Sequence, residues 1–191
     1  MINKRNSYAA LLAAAVVLAA VTAGAAVLVD CPAVGNGLDF IYRGFYVPDF
    51  PGSSIDRVVL RFRALSSDFA GPTTLRLTIR EGTFDGPLAG QAETTADLPA
   101  LGYQQVVFSF PPAAVTPGAV VTFTMENLSG NDDEVYFSVT TDEAACPVVE
   151  TNGTTPPLDS FRRNGVVVTI YGDESVAAET GSWSALKGFY R

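Results

Sequence analysis

The stretch Ile55–Ala64, IDRVVLRFRA, sets Val58, Leu60 and Phe62 on one parity and Arg57, Arg61 and Arg63 on the other. A helix would spread these side chains around its circumference. An extended strand sends alternate side chains to opposite faces, so a strand with one dry and one wet face satisfies both sets. The rhythm returns along the chain. Thr74–Glu81 places Leu75, Leu77 and Ile79 together, with Arg76, Thr78 and Arg80 opposite. Tyr103–Phe110 groups Val106, Phe108 and Phe110; Ala119–Asn127 groups Val121, Phe123 and Met125. Glu134–Thr141 groups Val135, Phe137 and Val139, and Val166–Tyr171 groups Val166, Val168 and Ile170. Leu38–Val47 is aromatic-rich on both parities, and Leu88–Thr94 alternates weakly.

Gly and Pro punctuate these runs at Asp49-Phe50-Pro51-Gly52, Ala70-Gly71-Pro72, Phe84-Asp85-Gly86-Pro87, Pro111-Pro112, Pro117-Gly118 and Ser129-Gly130-Asn131-Asp132. Such clusters turn strands rather than continue helices. About eight short strands at this spacing predict an all-β sandwich or barrel in one domain over residues 38–172. Residues 26–37 form an N-terminal segment and residues 173–191 a C-terminal tail. Asp142–Asn164 is irregular, and a loop of that length is functional or loosely ordered.

Residues 1–25 carry the layout of a secretory signal: Lys4 and Arg5, an apolar run from Ala9 to Val21, then Ala23-Gly24-Ala25. Cleavage is expected after Ala25. A retained anchor is the alternative, because Tyr8–Val29 reaches the ~20 apolar residues that cross a bilayer. Cleavage removes Lys4 and Arg5 from the 12 Lys+Arg, leaving 10 against 20 Asp+Glu, a net charge of −10. An acidic chain of this kind argues against nucleic acid, which needs a basic surface. It implies no membrane contact once the signal is gone. Cys31 and Cys146 both lie in the exported part, and in an oxidising compartment they make one bridge. The location expected is secreted, periplasmic or on the cell surface.

The order IDRVVLRFRA, TLRLTIREGTFDGPLAGQ, LGYQQVVFSFPPAAVTPGAVVTFTMEN and VVVTIYGD resembles the jelly-roll β-sandwich modules of secreted bacterial proteins, the carbohydrate-binding-like or choice-of-anchor type. The likeness rests on the loop Phe84–Ala89, the turn Thr116-Pro117-Gly118 and the closing Tyr171-Gly172, and spans roughly residues 38–172. It implies a jelly roll of about eight antiparallel strands and, less specifically, a carbohydrate ligand.

The composition restricts the chemistry. There is no histidine, hence no Ser-His-Asp triad and none of the usual zinc ligands. No glycine-rich phosphate loop opens a helix. Two carboxylates suffice for a glycosidase, but among twenty acids a close pair carries no specificity. The expectation is a non-enzyme without cofactor. Asp132, Asp133 and Glu134 are a candidate calcium loop through their hard oxygens, although they lack a defined ligand spacing and a solvated turn explains them equally. Asn127-Leu128-Ser129 and Asn152-Gly153-Thr154 match the N-glycosylation pattern as chance matches.

Arg57, Arg61 and Arg63 face outward on one strand, Arg76 and Arg80 on the next. If both strands share a sheet, they form a basic stripe suited to an acidic glycan or an acidic partner surface. The commoner use is cross-strand pairing with acids and threonines. A jelly roll that alternates sheets would split the stripe. Tyr136 and Tyr171 fall on wet parities and are the candidate ring platform for a sugar. In the first strand Phe40, Tyr42 and Tyr46 share one parity, Ile41 and Phe45 the other. The tail ETGSWSALKGFYR reads as a short helix capped by Ser182, docked on the sandwich or serving as an attachment address. The function expected is a non-catalytic module binding an extracellular glycan or other polymer. The alternative is a structural or adhesive subunit that contacts a surface protein, for instance by strand addition.

Overall fold

The computed structural model describes residues 25–34, 37–40, 44–140, 146, 148–151 and 165–174. Residues 1–24 of the expected signal segment, Ile41, Tyr42, Asn152–Thr154 and the tail from residue 175 lie outside the described residues. The chain is a β-sandwich of two antiparallel sheets. One holds β1 (Ala26–Cys31), β2 (Gly37–Phe40), β4 (Ser54–Ala64), β7 (Gln104–Ala114), β9 (Val135–Thr140), β11 (Gly165–Val166) and β12 (Val168–Gly172). The other holds β3 (Gly44–Val47), β5 (Gly71–Glu81), β6 (Leu88–Leu98), β8 (Val121–Asn127) and β10 (Val149–Thr151), in the order β10-β3-β8-β5-β6. They are called here the β4 sheet and the β5 sheet. Apart from the β5–β6 hairpin, the chain changes sheet at every step from β2 to β9, the alternation of a jelly roll.

The parities read from the sequence become the core. Val58, Leu60, Phe62, Leu75, Leu77, Ile79, Phe123 and Phe137 are all buried in one cluster between the sheets. Phe45 stacks on Phe123 at 4.6 Å and Phe62 meets Phe108 edge-on at 6.3 Å. Burial of each large apolar side chain stabilises by about 1.5–3 kcal/mol, which makes these interior rows the main source of cohesion.

Four expectations are corrected. Leu38–Val47 is not one strand: β2 pairs with β9 in one sheet and β3 with β8 in the other. Gly44, at φ 140°, stands at the start of β3, where a methyl group would run into the Phe123 carbonyl. The apolar parity on both sides of β3 follows from burial of all four of its residues. Pro111-Pro112 is not a turn but part of β7. Ser109 pairs with Arg57 and Ala113 with Ile55, so the prolines sit in a bulge, on a strand that among the described residues pairs with β4 alone. Residues 26–31 are a strand on β12, their alternation masked in sequence by the apolar run before them. The irregular segment after Thr140 contains the short β10 and ends at β11. Among the described residues twelve strands, several of them short, make up the sandwich that was read as about eight.

Cys31 and Cys146 form the expected disulfide, closing a separation of 115 residues. In the chain-entropy model a loop of that length stabilises by about 4–5 kcal/mol, an upper bound. Past Cys31 the chain crosses the outer face of the β4 sheet. Thr140 Oγ1 donates to the Val34 carbonyl at 3.1 Å. Among the described residues no helix is long and apolar enough to cross a membrane.

Candidate functional site

The outward parity of β4 is Arg57, Val59, Arg61 and Arg63. Register places Tyr171 and Ser109 on either side of Arg57, and Thr169 and Val107 on either side of Val59. Gln105 lies opposite Arg61 and Tyr136 opposite Arg63. The two candidate tyrosines and the three β4 arginines, picked out separately in the sequence, thus share one sheet face. The Arg57 guanidinium lies over the Tyr171 ring, 3.8 Å from its centre, and that of Arg63 over Tyr136 at 5.3 Å. A flat guanidinium gains from the negative face of the ring, about 0.5–1 kcal/mol at exposed positions, and keeps its N–H edge for another acceptor.

Among the described residues none of these three arginines has a carboxylate within 4.0 Å or donates a side-chain hydrogen bond. Arg63 Nε is buried without a partner. Two acids lie close by: Asp56 precedes Arg57 on β4, and Asp30 on β1 accepts through Oδ1 from Thr169 Oγ1 at 3.0 Å. Asp30, Val59, Gln105 and Thr169 join Arg61 around a cleft of about 70 Å³ beneath the crossing segment. Val107, 46% exposed, adds an apolar patch beside it.

Arg76 and Arg80 stand in the other sheet, so the stripe of five is split. Arg76 is held by Glu93 at 2.8 Å and Glu126 at 3.4 Å, and the hydrogen bond to Glu93 foremost raises its pKa above the usual arginine value. Arg80 donates to the Gly86 carbonyl at 2.8 Å and closes the β5–β6 turn. Arg76 thus makes the cross-strand pairing with acids that was the commoner expectation, whereas Arg80 serves a turn that alternation does not reveal.

The acidic loop is turned on its own backbone. Asp132 accepts from the Asn127 N–H at 2.6 Å, and Glu134 accepts from the Asn131 N–H and Nδ2, both at 3.1 Å. Burial chiefly pushes the Asp132 carboxyl up, with the charges of Glu126 and Asp133 adding to it and the Asn127 hydrogen bond opposing it. Among the described residues no three acidic, histidine or cysteine side chains come together as a cation cage. Beside this loop, Phe69, Thr73, Asn127, Gly130 and Glu134 line a cleft of about 210 Å³. Its polar groups already serve the fold: Ser129 Oγ, for example, accepts from the Thr74 N–H at 2.8 Å. Phe69, 40% exposed, is an aromatic that alternation could not flag, because it sits in a 3-10 turn, Ser67–Phe69. Gln105, Val107 and Thr169 were likewise not singled out; only the strand order brings them to the arginines.

No family model and no curated protein matches this chain. Among solved structures, the arabinose-bound MgGH51 α-L-arabinofuranosidase is similar over 57% of this chain and 17% of its own, with 19% identity and a TM-score of 0.36. That likeness is too slight to carry an argument.

Proposed function

We propose that the protein is an exported, non-catalytic β-sandwich module that binds an extracellular polymer, carbohydrate foremost, on the outer face of the β4 sheet. The observation that carries this is the row of Arg57, Arg61 and Arg63 with Tyr171 and Tyr136 beside its ends, its guanidinium donors engaged by no carboxylate among the described residues. A row of planar donors and rings along one strand, continuing into the cleft beneath the crossing segment, suits an extended chain rather than a small molecule, which calls for a concave pocket. Export is supported by the disulfide and by β1, which begins at Ala26, the residue after the expected cut.

Two measurements test the reading. The exported protein is expected to begin at Ala26 on N-terminal sequencing; a chain still starting at Met1 would favour the anchor. A glycan array is expected to show selective binding that Tyr171→Ala weakens at least fivefold. An array silent across neutral and charged glycans removes the reading.

One observation favours the alternative of a structural or adhesive subunit. β6 is eleven residues long, pairs only with β5 among the described residues, and has no Pro, Lys or Arg along it. Strand edges of that kind accept a further strand. Light scattering that shows a monomer across a wide concentration range counts against self-assembly through this edge.

A further inference from the structure

We infer that the polymer is an acidic polysaccharide whose carboxylate or sulfate groups lie along β4 on Arg57, Arg61 and Arg63; this rests on the polymer-binding reading above. The chain is acidic, with a net charge of −8, and has carboxylates enough to neutralise its arginines. It does so on the β5 sheet, where Arg76 lies between two of them. On β4 it does not. Arg57 and Arg63 are packed against rings, and Arg61 borders the cleft with Gln105, Thr169 and Asp30, whose carboxylate accepts from Thr169 Oγ1 and makes no ion pair with Arg61. Each guanidinium carries five N–H donors in a fork that matches a carboxylate or sulfate, and among the described residues none of them meets a carboxylate; the Nε of Arg63 is buried, which leaves its terminal nitrogens for a ligand.

The spacing points to a linear ligand. At about 3.3 Å per residue, Arg57 and Arg61 stand about 13 Å apart and Arg61 and Arg63 about 7 Å. A single small anion does not span the row from Arg57 to Arg63; an extended chain with repeated charges reaches all three. Val59 and Val107 between the charges offer apolar contact to the ring faces of a sugar. The acidity of the remaining surface repels a polyanion at long range. Binding is therefore confined to this face and weakens as salt screens the arginines. A second copy of this acidic chain is the competing anionic partner.

The test passes the full-length exported protein over immobilised polygalacturonate, heparin and dextran at rising salt, with its size measured in parallel. Retention is expected on polygalacturonate or heparin, falling with salt, and not on dextran. The combined variant Arg57→Gln, Arg61→Gln, Arg63→Gln is expected to lose at least thirtyfold in affinity. Arg61→Gln alone, which disturbs no ring contact and so guards against misfolding, is expected to lose threefold to tenfold. Arg76→Gln is expected to bind unchanged. Equal retention on dextran, or retention untouched by both β4 variants, overturns the acidic ligand while leaving polymer binding in place. No retention on any of the three overturns both. If it comes with self-association that Arg61→Gln abolishes, the face belongs to a second copy.

Discussion

On the outer face of the β5 sheet, Arg76 lies between Glu93 and Glu126, and threonines meet across strands, as Thr74 and Thr95 do at 2.9 Å. On the outer face of the β4 sheet, two arginines lie on tyrosine rings, a third borders a cleft, and no described acid pairs with any of them. The residue types are alike and the strands adjoin in sequence, yet the fold sends β4 and β5 into different sheets. One face is internally satisfied and has little left to offer a partner. The other holds three arginines in a row that no described acid pairs with. A charged side chain on a strand therefore says little by itself; its cross-strand neighbours decide whether it is structure or site.

The largest expected effect breaks the comparison on the β4 side. Replacing Cys31 and Cys146 by serine removes the bridge that pins β1 and the segment crossing the β4 sheet. Loss of a native disulfide in a domain of this size costs about 2–5 kcal/mol. Chemical denaturation is expected to report that loss, and hydrogen exchange to quicken in β1 and β12 while β5 and β8 stay protected. Equal quickening in both sheets would mean that the bridge supports the sandwich as a whole.

The next prediction makes the two faces alike. Gln105→Glu sets a carboxylate opposite Arg61, reproducing the pairing that Arg76 has with Glu93. Affinity for polygalacturonate is expected to fall about tenfold, equivalent to about 1.4 kcal/mol. Stability should move by less than about 0.5 kcal/mol, as for other surface changes. Unchanged affinity would show that Arg61 takes no part.

The converse change is smaller. Glu93→Gln with Glu126→Gln releases Arg76, and retention on polygalacturonate is expected to rise less than threefold, because one freed cation has no aligned neighbours. A rise as large as the loss from Gln105→Glu would mean that any unpaired arginine suffices, and that the row along β4 has no special role.

The sandwich itself was legible because its core is a sum of local alternations. β4, β5, β8 and β9 each announce their buried face within a few residues, and all those residues are buried. The disulfide was legible for a different reason: two cysteines leave one pairing. What failed was whatever local rhythm does not encode. β2 and β3 share one aromatic run because both parities there are apolar, so no break in alternation marks the change of sheet. Pro111-Pro112 carries a turn signal, but a proline inside a strand is tolerated where a bulge or an open edge needs no N–H. β10 and β11, three and two residues long, are too short to show a period. The candidate site was legible as a set of residues, not as a site. Tyr171 meets Arg57 across 114 positions of sequence, and only the pairing of β12 with β4 makes them neighbours.

The smallest prediction concerns Asp132, at the end of the β5 sheet, where the protein does hold a charge at some cost. A carboxyl whose folded pKa is raised binds its proton more tightly in the fold than in the open chain. Its contribution favours the fold at low pH and is lost as pH rises through the folded value, which for Asp132 lies above that of a free aspartate. At pH 7 the ionised form is therefore mildly unfavourable, and the partial exposure of the loop keeps the effect small. Asp132→Asn removes that charge and still presents an oxygen to the Asn127 N–H. It is expected to match or exceed the parent by up to about 0.5 kcal/mol at pH 7, a margin that closes toward pH 4 as the parent takes up its proton. Urea midpoints at the two pH values decide it. If the variant is the weaker by more than about 1 kcal/mol at pH 7, the 2.6 Å charge-assisted bond to Asn127 outweighs the burial, and the acidic loop owes its place to that bond.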